Sequence, residues 1–134
     1  MTELTDEQRS FIADNPYVGT VTTLRDDGAP HNTIVRVDAE DGTLTLNTAV
    51  GRAKERHLRR DPRIALTVVN PENTYKWVSV SGRAELTTEG ADDQIDKLAK
   101  KYLGEDRYRW RSRDEQRISI KFRPDQVDAT GFDQ

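Results

Sequence analysis

The sequence predicts a mainly β fold: a closed or partly closed antiparallel barrel of six or seven short strands with two or three peripheral helices. Three observations lead there. Runs of β-branched and aromatic residues recur along the chain, at Tyr17 to Leu24, His31 to Asp38 and Tyr75 to Thr87. Turn chemistry, in "RDDGAP", "AEDGT" and "NPEN", separates such runs at short intervals. Helical periodicity is confined to a few short stretches, too few to supply the crossovers of a parallel βαβ sheet.

The first helix is expected from Thr5 to Asp14, where Thr5 can cap, Gln8 holds the capping-box position, and Phe11 and Ile12 supply an apolar face before "NP" ends it. Tyr17 to Leu24 is the first strand. His31 to Asp38 alternates, with Thr33, Val35 and Val37 opposite Ile34 and Arg36, and Leu44 to Thr48 follows the next Asp-Gly turn, so three strands form a meander. A short basic helix, Ala53 to Arg60, precedes the strand "IALTVV". The run Tyr75 to Thr87 then sets Trp77, Ser79 and Ser81 on one face and Val78 and Val80 on the other. Between Ala91 and Leu103 the residues Ile95, Leu98, Ala99 and Tyr102 recur at spacings of three and four, and Gly104 terminates that helix. In the closing "RISIKFRPDQV", Ile118, Ile120 and Phe122 share a face and Pro124 ends the strand.

Composition narrows the function. A chain of 134 residues is the size of one ordinary domain. The absence of cysteine removes disulfides, thiolate metal sites and cysteine nucleophiles. With 21 basic against 24 acidic residues and a net charge of -3, the chain makes no electrostatic case for nucleic acid. No segment approaches the roughly 20 apolar residues of a membrane span, and the N-terminus lacks the pattern of a signal peptide, so no membrane partner and a cytoplasmic location are expected. The two histidines, His31 and His57, have no metal-ligand spacing, so no metal is expected. Neither a G-x-S-x-G elbow nor a glycine-rich nucleotide loop is present. An enzyme of this composition takes its reactive atom from a bound cofactor.

One local feature points to an anion. The stretch "NTAVGRAKERHLRRDPR", Asn47 to Arg63, sets six Lys/Arg side chains within the thirteen residues from Gly51. Thr48, Ala49, Val50 and Gly51 leave a strand and enter a helix, where unpaired N–H groups would face the loop. Thr48 offers a hydroxyl, Gly51 a close backbone approach, Arg52 a fork of donors and Lys54 a mobile charge, a set suited to phosphate. The alternative is a solvated helix face, with Arg59 and Arg60 favourable at its C-terminus.

The order "DDGAPHNTIV", "LTLNTAVGRAKERHLRRDPRIALTVV", "NPENTYKWVSVSGRAEL" and "LAKKYLG" resembles the split-barrel flavin and deazaflavin proteins related to pyridoxamine 5'-phosphate oxidase, and within them the coenzyme F420-dependent reductases. The resemblance covers nearly the whole chain. It implies a six-stranded antiparallel split β-barrel with a few peripheral helices, and a homodimer holding two cofactors in clefts between the subunits. It also implies that the loop after the third strand holds the cofactor phosphate, here Thr48, Ala49, Gly51, Arg52 and Lys54, with Asn47 heading the same stretch. His31, Asn32 and Thr33 would lie against the ring system. Trp77, on a strand with Tyr75 and Ser79, either walls the ring pocket or packs in the barrel core. Phe132, near the C-terminus where relatives place an aromatic residue beside the cofactor, is either such a residue or simple packing. Tyr108 and Trp110 would border a substrate mouth or a dimer contact.

The expected function is therefore an F420-dependent oxidoreductase that transfers a hydride from the reduced deazaflavin to an unsaturated small organic substrate. The alternatives are an FMN-dependent oxidase or reductase of the same fold, or a non-catalytic protein that binds flavin, F420 or haem. The further cations Arg56, Arg59, Arg60 and Arg63 suit the longer anion, because F420 continues past its phosphodiester into a carboxylate-bearing tail.

Overall fold

In the computed structural model, which describes residues 2–108 and 114–132, the chain forms nine strands and three helices. In chain order they are α1 (Asp6–Ala13), β1 (Gly19–Leu24), β2 (Pro30–Val35), β3 (Asp38–Glu40), β4 (Thr43–Ala49), α2 (Ala53–Arg60), β5 (Arg63–Asn70), β6 (Asn73–Arg83), β7 (Glu85–Thr87), α3 (Ala91–Leu103), β8 (Arg117–Phe122) and β9 (Pro124–Thr130). Every pairing is antiparallel. One sheet has the order β2-β1-β5-β6-β9 and the other β3-β4-β8-β7.

This corrects the six-stranded expectation: among the described residues there are nine strands in two sheets, and no closed barrel. Six extended runs are present, but three of them break where they pass from one sheet to the other. Between β2 and β3 the ladder stops at Val37, whose N–H donates to the Tyr102 hydroxyl at 3.1 Å and whose carbonyl accepts from Lys101 Nζ at 2.7 Å. Side chains of α3 thus replace the strand partners there. The other two breaks lie side by side, since Gly82 of β6 stands opposite Pro124 of β9 across a register shift. A Cβ on Gly82 would collide with the Arg123 carbonyl oxygen, so only glycine lets the two runs cross this closely.

The core lies between the sheets. Val21, Leu66, Val68, Val78, Val80 and Val127 face Leu44, Leu46, Ile120 and Phe122, with Phe11 and Ile12 from α1 and Leu58 from α2. Burying each of the larger side chains contributes roughly 1.5–3 kcal/mol. Local signals set the helix ends as the sequence predicts. Thr5 and Gln8 form a reciprocal capping box with bonds of 3.0 and 3.1 Å, and α3 stops at Gly104 with φ of +71°. α2 carries the chain from the four-stranded to the five-stranded sheet, and α3 covers the face of β4 opposite the core. Among the described residues no helix is long and apolar enough to cross a membrane.

Candidate cofactor site

β4 ends at Ala49, and the chain turns through Val50 and Gly51 into α2. Val50 donates its N–H to the Gln116 carbonyl at 2.9 Å, and Arg52 donates to the Ala49 carbonyl at 3.2 Å, which fixes the turn beside β8. Gly51 holds φ at +93°, a left-handed conformation that strains any side chain, although a Cβ there would meet no atom within 4 Å. Conformation rather than crowding requires that glycine.

The first helical bond of α2 runs from Arg56 N–H to the Arg52 carbonyl at 3.1 Å, so the N–H groups of Ala53, Lys54 and Glu55 have no helical partner. Gly51 N–H differs from the sequence expectation: buried Glu55 turns back and accepts it at 3.3 Å, so that donor is already taken. Lys54 Nζ donates to the Thr33 hydroxyl at 3.3 Å and has no carboxylate partner among the described residues. Burial, and then the charge of Arg52, push the Lys54 pKa below its usual value.

Arg52 is held by Glu115, with Nη2 3.0 Å from Oε2. The other Glu115 oxygen accepts from Arg117 Nη1 at 2.8 Å. Arg117 also donates from Nε to Asn47 Oδ1 at 2.8 Å, and its guanidinium stands 5.1 Å from the Tyr108 ring centroid. Asn47 is fixed in turn by α3, donating to the Ala91 carbonyl at 2.9 Å and to Gln94 Oε1 at 2.5 Å.

These groups line one cleft of about 430 Å3, within the usual range for small-molecule sites. Val18, Ile34, Ile95 and Leu98 give it an apolar wall, and Arg36, Arg52, Lys54 and Arg117 a cationic one. Helical N–H groups without a helical partner, and a lysine without a carboxylate partner among the described residues, can hold a phosphate beside an apolar wall with a flat ring next to it. The residues present therefore fit a flavin or deazaflavin nucleotide. Among the described residues no cluster of three or more His, Asp or Glu gathers to hold a metal ion.

Of the residues singled out from sequence, Asn47, Thr48, Arg52 and Lys54 meet at this cleft, and Thr33 joins them through Lys54. Ala49 and Gly51 shape the turn without lining the cleft. His31 packs against α2, its ring edge-on to His57 at 5.1 Å between centroids, with its Nδ1 buried and unpartnered. His57 Nδ1 lies 2.8 Å from the Thr23 hydroxyl. Burial first, then His31 and the nearby arginines, hold the His57 pKa below its usual value. Asn32 is exposed and bonded to the Thr22 hydroxyl at 2.5 Å. Trp77 lies elsewhere, on the outer face of the five-stranded sheet with Thr67, Val69, Ser79 and Asp128. Phe132 packs edge-on against Phe11 at 5.1 Å, with Lys76 Nζ 4.8 Å from its ring centroid. Tyr108 borders the cleft, and Trp110 lies outside the described residues.

Three cations assigned from sequence to a longer anion are engaged within the protein. Arg59 pairs with Glu55 at 3.2 Å, Arg60 with Asp26, and Arg63 with Asp61 at 2.7 Å, an arrangement that holds the Asp61 carboxyl down at about 2. Arg36, Glu115 and Arg117 were missed from sequence. Arg117 stands opposite Ala49 in the β4–β8 ladder, a pairing that no local signal discloses.

The fold is shared with several solved structures. An F420 reductase superposes with a TM-score of 0.79 at 22% identity, covering 89% of this chain and 94% of that one. A conserved hypothetical protein from Mycobacterium tuberculosis gives a TM-score of 0.73 at 19% identity, with coverage of 95% and 84%. A putative pyridoxamine 5'-phosphate oxidase from Listeria innocua gives 0.65 at 19% identity, with coverage of 84% and 87%. Residues 4–131 match the sequence pattern of one family along almost their entire length. The chain belongs to the pyridoxamine 5'-phosphate oxidase family, whose split-barrel fold it shares.

Proposed function

We propose that the protein is an F420-dependent reductase acting on an unsaturated small organic molecule. The observation that carries this reading is the pairing, in one cleft, of Lys54 at a helix start, bonded to Thr33 but without a carboxylate partner among the described residues, with an apolar wall formed by Val18 and Ile34. Lys54 and the N–H groups opening α2 bind the phosphate, with Thr48 beside them. Val18 and Ile34 lie along the ring, and Ile95 and Leu98 keep water from its neighbourhood. When bound, the reduced deazaflavin supplies the hydride, and a proton completes the reduction. The likeness in fold to an F420 reductase supports the choice.

The same reading includes a homodimer. Two consecutive rows across the five-stranded sheet, Ile34-Thr20-Thr67-Ser79 and Asn32-Thr22-Ala65-Ser81, are uncharged up to β9, and Ile34 is 66% exposed. Trp77 shares that face with Ile34 but lies three strands away, about 14 Å at ordinary strand spacing. A second copy packed on this face brings its own Trp77 toward the ring side of the cleft, which no Trp77 of the same chain reaches.

FMN is the second reading, and the internal pairing of Arg59, Arg60 and Arg63 favours it, because the cleft then matches one phosphate better than a long polyanion. Titration with each cofactor decides between them. Quenching of F420 fluorescence to a stoichiometry of one per chain, with FMN washing away during purification, is the expected result. A preparation that keeps stoichiometric FMN and does not quench F420 overturns the first reading, and saturable cofactor binding with no turnover of any offered substrate favours a non-catalytic binding protein.

A further inference from the structure

We propose that Arg36 anchors an anionic group on the substrate, so that the cleft takes a flat unsaturated molecule bearing a carboxylate or a phosphate ester. The inference rests on the cofactor reading above and extends it to substrate class.

Charge within the cleft comes first. Among the described residues four cations line it, Arg36, Arg52, Lys54 and Arg117. One carboxylate, Glu115, pairs with two of them, Arg52 and Arg117. Four positive charges less one negative leave a formal +3. A bound phosphate monoester brings only about -1.5 to -2 near neutral pH, and a phosphodiester about -1. The cofactor phosphate alone therefore leaves at least one cleft cation unmatched; the carboxylates of an F420 tail, which leaves along α2, lie outside this count.

Geometry assigns that surplus to Arg36. Arg117 is sealed, its side chain 3% exposed and committed to Glu115 and Asn47. Arg52 is tied to Glu115, and Lys54 stands at the start of α2, where the phosphate belongs. Arg36 has no carboxylate partner among the described residues, and its guanidinium sits 5.9 Å from the centroid of the Tyr102 ring. That ring is a fixed platform, because the Tyr102 hydroxyl donates to the Tyr17 carbonyl at 2.6 Å and accepts the Val37 N–H at 3.1 Å. A guanidinium steadied in this way keeps its forked donors available to an oxyanion.

Spacing separates the two anion positions. Thr33, which carries Lys54, and Arg36 are three residues apart along β2 and its exit, about 10 Å of extended chain. Ile34 lies between them and lines the cleft. Both cations line the cleft, but Thr33, which holds Lys54, points to one face of β2 and Ile34 and Arg36 to the other, so the two cations approach from opposite sides of the strand. The Lys54 side takes the cofactor phosphate and the Arg36 side an anion on a second molecule laid against the ring.

Calorimetric titration of the cofactor-loaded protein with cinnamate, phenyl phosphate and the neutral cinnamamide tests this. In the unsubstituted protein at least one of the two anions is expected to bind about tenfold or more tightly than cinnamamide, as a charge-assisted pair requires. Arg36→Gln should bring the anions to the level of the amide, Arg36→Lys should retain part of the preference, and cofactor affinity should stay within about twofold in both variants. Equal binding of the anions and the amide to the unsubstituted loaded protein overturns the assignment. So does a loss of cofactor affinity in Arg36→Gln with the anion preference intact, which returns Arg36 to the cofactor. Failure of both F420 and FMN to bind the unsubstituted protein overturns the cofactor reading and this inference together, and is distinguished by the cofactor titration alone.

Discussion

Lys54 Nζ donates to the Thr33 hydroxyl at 3.3 Å, linking the first turn of α2 to β2 without any carboxylate among the described residues to balance its charge. Burial lowers its pKa, and Arg52 lowers it further. An ammonium group held this way is poised for an anion. Phosphate binding should raise the Lys54 pKa again, so binding should take up protons in alkaline buffer, and affinity should fall as pH rises through the depressed value. Calorimetry in two buffers of different ionisation enthalpy measures that uptake, and buffer-independent heats would remove Lys54 from the phosphate site.

The same shift fixes the sign of a stability effect. The unfolded chain holds the Lys54 proton up to about pH 10.4, whereas the folded chain releases it earlier. Folding stability therefore rises with pH between the two values, and the penalty for the buried charge is fully present below the folded one. Lys54→Met should leave the cofactor-free protein at least as stable at neutral pH. Its phosphate affinity should fall by on the order of 1.5–3 kcal/mol, the range for a hydrogen bond to a charged group. Thermal melts with and without cofactor check both halves.

Glu115 carries more of the structure than Arg52, the exposed arginine it holds. Removing its charge leaves Arg117, 3% exposed at the side chain, with Asn47 as its remaining hydrogen-bond partner among the described residues. Glu115→Ala should destabilise the protein by about 3 kcal/mol, as breaking a buried pair does. Arg52→Ala leaves the Glu115–Arg117 pair intact and, with that side chain 55% exposed, should change stability by roughly 0.5 kcal/mol or less. Denaturant unfolding of the two variants compares them directly, and equal losses would mean that the three charges act as one unit.

How far this arrangement was legible depends on how local each signal is. The Thr5–Gln8 capping box and the Gly104 stop act within a few residues, and both ends of α1 and α3 follow from the sequence. The breaks in the long strands do not, because Val37 is held by Tyr102 from 65 positions away and Gly82 is shaped by Arg123. In the site, Thr48, Arg52 and Lys54 stand out as part of one basic stretch. Glu115 and Arg117 reach them only through the pairing of β4 with β8. Arg59, Arg60 and Arg63 looked alike in sequence because charge count cannot tell a free cation from one already paired.

Gly82 offers a test of the crossing between the sheets. A methyl group there would drive into the Arg123 backbone carbonyl, which cannot swing away as a side chain would. Gly82→Ala should cost several kcal/mol, at the upper end of single substitutions. Gly28→Ala, at a positive φ of 84° with open space around it, should cost only about 1 kcal/mol of backbone strain. Comparable midpoints for the two variants in urea would count against a tight crossing.

The proposed dimer makes a separate prediction at Thr67, which stands mid-sheet between Thr20 and Ser79 on the uncharged outer face. An arginine there points to solvent in a monomer, so Thr67→Arg should fold normally. In a dimer formed on this face it would bury an unpaired charge in each subunit. Sedimentation at micromolar concentration should give about twice 15.3 kDa for the parent protein and the monomer mass for the variant. A parent protein that sediments as a monomer removes this face from the cofactor site.

The choice between F420 and FMN turns on Arg56, an exposed residue with no ion-pair partner among the described residues, unlike Arg59, Arg60 and Arg63. An extended anion leaving the phosphate loop along α2 would find Arg56 available and the other three engaged. One exposed contact of this kind contributes about 0–1 kcal/mol, less than the phosphate site itself. Arg56→Ala should therefore weaken F420 binding no more than about fivefold and leave FMN binding unchanged. The difference should fade in roughly 1 M salt, where the Debye length falls to about 3 Å. An Arg56→Ala effect equal for both cofactors, or no effect on F420 at low salt, would show that Arg56 meets no part of an F420 tail and would favour FMN.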